Sequence, residues 1–142
     1  MVKGTTDAKA NDRQAEFDDV IAHMRRILDP LRSRLVATKD GPDGLTLEIP
    51  GFEGQPWGYV AGIRRGKQYV SYYLMPLYAL PELADSISPE LRRRKQGKSC
   101  FNFSSVDEPL FEELARITMA GFEPYLAMAS EVAQSKAPAK SR

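Results

Sequence analysis

Cysteine and histidine are almost missing: Cys100 and His23 are the only ones in 142 residues. One cysteine excludes an intramolecular disulfide and a cysteine-based zinc cluster, and one histidine excludes a histidine-rich metal site. A lone free thiol fits a reducing compartment, so a cytoplasmic location is expected. No apolar run approaches the roughly 20 residues that a membrane-spanning helix needs. The opening residues, Met1-Val-Lys-Gly-Thr-Thr-Asp7, contain no apolar stretch of the signal-peptide kind. No membrane partner is therefore expected.

A large charge of one sign is also lacking. The formal net charge is +1, which gives no global pull toward nucleic acid or an anionic membrane surface. A glycine-rich nucleotide loop is absent as well. Gly97-Lys-Ser99 looks like the end of a phosphate-binding loop, but that motif needs a glycine where Arg92 stands and a helix after the lysine. Here Cys100-Phe-Asn-Phe103 follows, which reads as strand. Cys100 could act as a nucleophile only beside an activating base, and His23 is the single histidine that could supply one. Cys100 is expected to be a small buried hydrophobe and His23 a surface or half-buried helix residue. No catalytic residue is assigned, and an enzyme is the least supported class.

Apolar content is ample, at 42% of residues, and a chain of this length builds one domain with its own core. Phe17, Val20, Ile21, Met24, Ile27, Leu28, Leu31 and Leu35 recur at steps of three and four, one stripe of a helix. Pro30 predicts a break or kink after Leu28 and a short helix to about Ala37, with Asp29 as its N-cap. Lys39 to Gly44 is a turn cluster, and Leu45 to Ile49 alternates as a strand. Trp57 to Ile63 reads as a second strand, with Trp57, Tyr59, Ala61 and Ile63 on one face. Gly58 and Gly62, on the other, leave room for a packed helix. Arg64 to Lys67 is a hairpin turn, with Gly66 free to take positive φ, and Gln68 to Met75 is a third strand.

Pro76 and Pro81 bound a loop or a single turn. Ser88-Pro89 starts a short helix, with serine as N-cap, that carries Arg92 to Lys95 and ends at Gly97. Lys98 to Phe103 is a last strand, with Phe101 and Phe103 on one face and Lys98, Cys100 and Asn102 on the other. From Asp107 a second apolar stripe runs through Leu110, Phe111, Leu114, Ile117, Phe122 and Leu126. Gly121 and Pro124 predict a bend or split in it, and the acids at its start suit the helix dipole. The fold class expected is α+β, an antiparallel sheet of about four strands flanked by N-terminal and C-terminal helices. One domain is expected over 12–133, with disordered ends at 1–11 and 134–142.

Charge is unevenly spread. Gly54 to Val106 carries eight basic and three acidic residues, net +5; Asp107 to Glu131 carries six acids against Arg116, net −5. Tyrosines, lysine, asparagine and arginine meet on a sheet surface by strand geometry, and Tyr59, Arg64, Tyr73, Lys98 and Asn102 are the candidate ligand-binding residues. The ligand expected there is a small anion, or else a protein partner. Basic residues interleaved with aromatics also occur on single-strand nucleic-acid platforms, but the near-neutral total and the adjacent acidic helix count against nucleic acid. Sheet edges leave a homodimer open. No metal set is assigned, although Asp12, Glu16, Asp18 and Asp19 could hold a hard cation weakly.

Three segments carry a family resemblance: Trp57-Gly-Tyr-Val-Ala-Gly-Ile63, the hairpin into Tyr69-Val-Ser-Tyr-Tyr73, and Gln96-Gly-Lys-Ser-Cys-Phe-Asn-Phe103 followed by a helix. Together they resemble the bacterial YdhG-like domains, a family of unknown function, over roughly Phe17 to Tyr125. The resemblance implies an α+β domain with an antiparallel sheet flanked by helices. Some members are described as frataxin-like iron chaperones, so it also implies iron as a possible cargo for acids of the first helix.

Overall fold

The structure is a computed structural model. It describes residues 2–140, with side chains described for 12–134. Of the ends where disorder is expected, 1–11 and 134–142, all but Gln134 lie outside the residues whose side chains are described.

The chain is α+β. Helix α1 (Val2–Arg32) leads into a hairpin of β1 (Val36–Gly41) and β2 (Gly44–Glu48). A 3-10 turn (Pro56–Gly58) then precedes β3 (Tyr59–Arg65) and β4 (Val70–Leu74). Three short helices follow, α2 (Met75–Ala79), α3 (Pro81–Asp85) and α4 (Pro89–Arg92). Strands β5 (Lys95–Gln96) and β6 (Cys100–Phe103) close the sheet, and α5 (Glu108–Lys140) ends the chain. The sheet has six strands in the order β1-β2-β3-β4-β6-β5, every pair antiparallel. No helix among the described residues is long and apolar enough to cross a membrane.

Both long helices cover the same face of the sheet. Phe17, Val20, Met24, Leu28 and Leu31 of α1 are buried with Leu45, Leu47, Ala61, Ile63, Val70, Tyr72, Leu74, Phe101 and Phe103 of the strands. Leu114, Ile117 and Phe122 of α5 complete the layer, and Phe111 meets Phe103 edge to face at 4.8 Å. Burying each large side chain contributes about 1.5–3 kcal/mol. The Tyr72 hydroxyl is fully buried and hydrogen-bonded to Thr118 Oγ1 of α5 at 2.6 Å, so burial is not left unpaired there.

Several breaker residues do not break. Pro30 sits inside α1, and the helix continues to Arg32. Pro30 and Arg26, four residues back, are both exposed, so the carbonyl that the proline leaves without a donor lies on the side of the helix away from the core. Val36 to Gly41 is consequently the edge strand β1, not a helix tail. Its Asp40 is held by Arg25 and Arg32 of α1, and hydrogen bonding to those guanidinium groups keeps its carboxyl below the ordinary range. Gly121 and Pro124 likewise lie within an uninterrupted α5. Gly121 serves packing: a Cβ there would lie 2.7 Å from Leu83 and 2.8 Å from Pro76, so its absence lets α2 and α3 approach the helix.

Ser88 caps α4 as expected, accepting from the Leu91 N–H at 3.1 Å. That helix stops at Arg92, however, and Lys95–Gln96 pairs with β6 as a short strand. Gly97, at φ +70°, therefore turns a hairpin rather than ending a helix. Gly66 does not use positive φ; the chain closes there by its N–H donating to Tyr69 O at 2.9 Å. Glu113 does more than sit near a helix start: its carboxylate accepts from the Ser88 N–H at 2.7 Å and from the Ser88 hydroxyl at 2.6 Å. The edges are blunt. β1 has a register shift between Ala37 and Lys39 and carries charges at 39 and 40, and β5 has two residues; such features discourage edge-to-edge pairing.

Candidate functional site

With α1 and α5 on one face, the hollows of the other face are lined, among the described residues, by strands and turns alone. Strand alternation puts polar and aromatic side chains there, and cross-strand register arranges them in rows. One row runs Gly44, Arg64, Ser71, Asn102 across β2, β3, β4 and β6; the next runs Thr46, Gly62, Tyr73, Cys100, then Gln96 of β5.

Tyr59 joins this face through a register shift. Leu47 pairs with Ala61 but Glu48 pairs with Tyr59, so Val60 is an extra residue in β3. A bulge of one residue reverses the alternation. Tyr59 therefore lies on the face of Gly62 and Arg64, opposite Ala61 and Ile63, which corrects the simple alternation read from the sequence. Its phenol end fills the space above Gly62, where a Cβ would stand 2.5 Å from the Tyr59 oxygen and 2.9 Å from Leu45 O. The room left by Gly62 is thus taken by an aromatic ring of the same strand, not by a helix. At Gly58 it is taken by the Phe52 carbonyl. Burial pushes the Tyr59 hydroxyl well above its ordinary range, with Tyr73, Cys100 and Glu48 adding to the rise, so it is a neutral donor at physiological pH.

A hydrogen-bonded strip lies beside the aromatic one. Ser71 Oγ donates to Asn102 Oδ1 at 2.7 Å, the Cys100 thiol points to the same oxygen at 3.4 Å, and Asn102 Nδ2 donates to Gln96 Oε1 at 2.5 Å. Arg64 is exposed and has no hydrogen-bond or ion-pair partner among the described residues. Its neighbour Arg65 is the opposite case, bonded to Gln14, Asp18 and Asp43. A guanidinium left open beside bonded amide and hydroxyl groups offers a planar fork to an anion.

The surface is hollowed in three connected stretches. A cleft of about 350 Å³ lies between Lys39, Thr46, Tyr59, Arg64 and Tyr73. One of about 400 Å³ continues past Arg64 and Tyr73 to Tyr69, Ser71, Gln96, Cys100 and Asn102. Another of about 400 Å³ shares Tyr69, Gln96 and Asn102 and ends at Arg93, Arg94 and Lys95. Of the five residues singled out from the sequence, Tyr59, Arg64, Tyr73 and Asn102 meet along this trough. Lys98 does not join them; its ammonium lies 5.5 Å from the Tyr78 ring centroid, beyond the β5–β6 turn. Lys39, Thr46, Ser71 and Gln96 escaped the sequence reading because they come from strands or partners visible only in the pairing register.

Cys100 is half-exposed on the open face rather than buried in the core. His23 sits on α1, its ring 6.0 Å from Phe111 and its Nε2 3.4 Å from Glu108, on the covered side. Desolvation raises the Cys100 thiol above its ordinary range, so it is no activated nucleophile. Its alkylation by iodoacetamide at pH 8 is expected to be slower than that of free glutathione; a faster rate would show an activating group that the geometry lacks. No group of three or more histidine, cysteine, aspartate or glutamate side chains is placed to hold a metal ion among the described residues. Asp18 is engaged by Arg65, while Asp12 and Glu16 border a hollow with Arg13 and Gln68.

No family model, no curated protein and no solved structure matches this chain.

Proposed function

We propose that this protein is a cytoplasmic, non-catalytic binding module of the YdhG-like kind that takes an anionic ligand on its open sheet face. The observation that carries this reading is Arg64: a guanidinium with no partner among the described residues, in one cross-strand row with Ser71 and Asn102, on the sheet face opposite α1 and α5. Tyr59 and Tyr73 border it with hydroxyl groups and ring surface. The Cys100 thiol, raised above its ordinary range by desolvation, is not activated for attack, which favours binding over turnover at this face.

The test is calorimetric titration with pyrophosphate. Wild-type protein should bind it, and Arg64→Ala should weaken binding at least tenfold, since hydrogen bonds to charged groups contribute about 1.5–3 kcal/mol. Arg64→Lys should recover only part of the affinity, because the fork is lost while the charge stays. Lys98→Ala should change nothing. Identical isotherms for wild type and Arg64→Ala would end this assignment. Ferrous iron, the cargo implied by the resemblance, is titrated anaerobically beside it. Heat that survives Arg64→Ala and disappears with Asp12→Asn and Glu16→Gln would move the function to the first helix.

A further inference from the structure

Resting on that reading of the open face, we infer that its ligand is single-stranded RNA, laid across the strands from β1 to β5. Length is the first reason. The three hollows share residues end to end, so they form one trough from Lys39 to Lys95. Six strands at about 4.8 Å spacing make it roughly 24 Å long, far more than one phosphate or one carboxylate needs. This span suits the short end of the ~4 to 16 nucleotides that sheet-based single-strand sites accommodate.

Composition is the second reason. Cations recur along the trough at Lys39, Arg64 and Arg93, the last loosely paired with Glu90 at 3.9 Å, and rings stand between them at Tyr59, Tyr73 and Tyr69, the last of these 37% exposed. Phosphates spaced by bases match that alternation, because every base presents a π face and every linkage a negative charge. The carboxylates at the border are already engaged: Asp43 with Arg65, and Glu48 with Thr38 and the Gly54 N–H. The hydrogen-bonded strip of Ser71, Asn102 and Gln96 carries both donors and acceptors, which a 2′-hydroxyl can meet in either sense.

The third reason is where the fold puts its acids. An adjacent acidic helix would repel a polyanion, but α5 packs through Phe111, Leu114 and Thr118 against the covered face, with the whole sheet between it and the trough. The near-neutral total charge is thus a sum over two opposed faces.

Fluorescence anisotropy with a labelled RNA of about eight nucleotides tests this. Saturable binding is expected. If Lys39, Arg64 and Arg93 each neutralise a phosphate, log affinity should fall with log salt at a slope of about −2. Tyr73→Ala should weaken binding roughly five- to 150-fold and Tyr73→Phe should leave it within about twofold, since the stacking ring remains. Arg64→Glu, at an exposed position, should abolish binding with an unchanged melting curve, which separates loss of the site from loss of the fold. Equal affinity for single-stranded DNA of the same sequence would overturn the RNA assignment. Equal affinity for a poly-glutamate peptide would overturn it in favour of an acidic protein segment. Pyrophosphate heat that Arg64→Ala removes, with no RNA binding, would leave the anion site standing and refute the RNA ligand; silence in both assays would refute both.

Discussion

Gly58→Ala should lower the melting temperature by about 10 °C, the largest effect expected of any single-methyl change in the chain. A Cβ at this position would lie 2.1 Å from the Phe52 carbonyl oxygen and 3.0 Å from its carbon. The obstacle is backbone, so no rotamer change relieves it. Nor can the Phe52 turn simply move aside. Phe52 N donates to Ile49 O at 3.0 Å, Gln55 N donates to Phe52 O at 3.1 Å, and Ile49 N donates to Gly58 O at 2.8 Å. Phe52 also packs its ring against Trp57 at 4.6 Å. From α5, the Tyr125 hydroxyl lies 3.1 Å from Trp57 O and 2.9 Å from Tyr59 O, pinning the other side of the glycine. Overpacking of about 1–3 kcal/mol, with one or two backbone hydrogen bonds lost at about 1 kcal/mol each, gives roughly 3 kcal/mol in total. Gly41→Ala is the control. Its Cβ would meet nothing within 4 Å and its φ is not positive, so its melting curve should match wild type. Equal curves for Gly58→Ala and wild type would show that the turn yields where the hydrogen bonds say it is held.

Glu113→Ala should destabilise the protein by about 2–4 kcal/mol, since it removes two short hydrogen bonds to a buried side-chain acceptor. The side chain is 6% exposed and reaches from α5 to both the N–H and the hydroxyl of Ser88. Ser88 in turn caps α4. Losing the carboxylate leaves the Ser88 N–H without an acceptor in a part-buried place, and it loosens the cap whose own loss costs about 1 kcal/mol. Glu113→Gln keeps the shape and one acceptor oxygen, and should cost about half as much. Because both residues act on one another, the Ser88→Ala, Glu113→Ala double mutant should cost less than the sum of the singles. Urea unfolding of the four proteins measures this, and strict additivity would show that the pair contributes no coupling.

Both effects arise at positions whose importance the sequence does not announce. Gly58 reads as one of two small residues on a strand face; what meets it is a carbonyl from a loop six residues earlier. Glu113 reads as one of four acids near a helix start; what sets it apart is a serine 25 positions away. Periodicity reports on neighbours along one element, while these costs come from groups that only tertiary packing brings within contact.

The same division runs through the fold. The apolar stripe from Phe17 to Leu31, the strand at Gln68 to Met75, and the alternation that puts Phe101 and Phe103 on one face were legible, because burying a repeated face needs a repeated pattern. The α+β class and the flanking helices follow from those stripes. Ser88 as a cap was legible too, because capping is local chemistry. Pro30, Gly121 and Pro124 misled, because a proline on an exposed helix face, or a glycine where another helix approaches, is tolerated once the buried face supplies the stability. β1 and β5 stayed hidden: one is an edge strand whose charge is matched by arginines of α1, the other a pair of residues defined only by its partner.

For the candidate site, the sequence by itself determined the ingredients: tyrosines and basic residues on alternating strands, one thiol, one histidine and no complete catalytic set. Only the tertiary structure decided which of them share a surface. The bulge at Val60 turned Tyr59 onto the face of Arg64, the pairing register lined Arg64 up with Ser71 and Asn102, and the hairpin at Gly97 carried Lys98 away toward Tyr78. The packing of α1 and α5 on one side left the other side open. Register and layer order are set by the summed burial of whole strands and helices, so a residue's place on a surface is a property of the fold and not of its nearest neighbours in the chain.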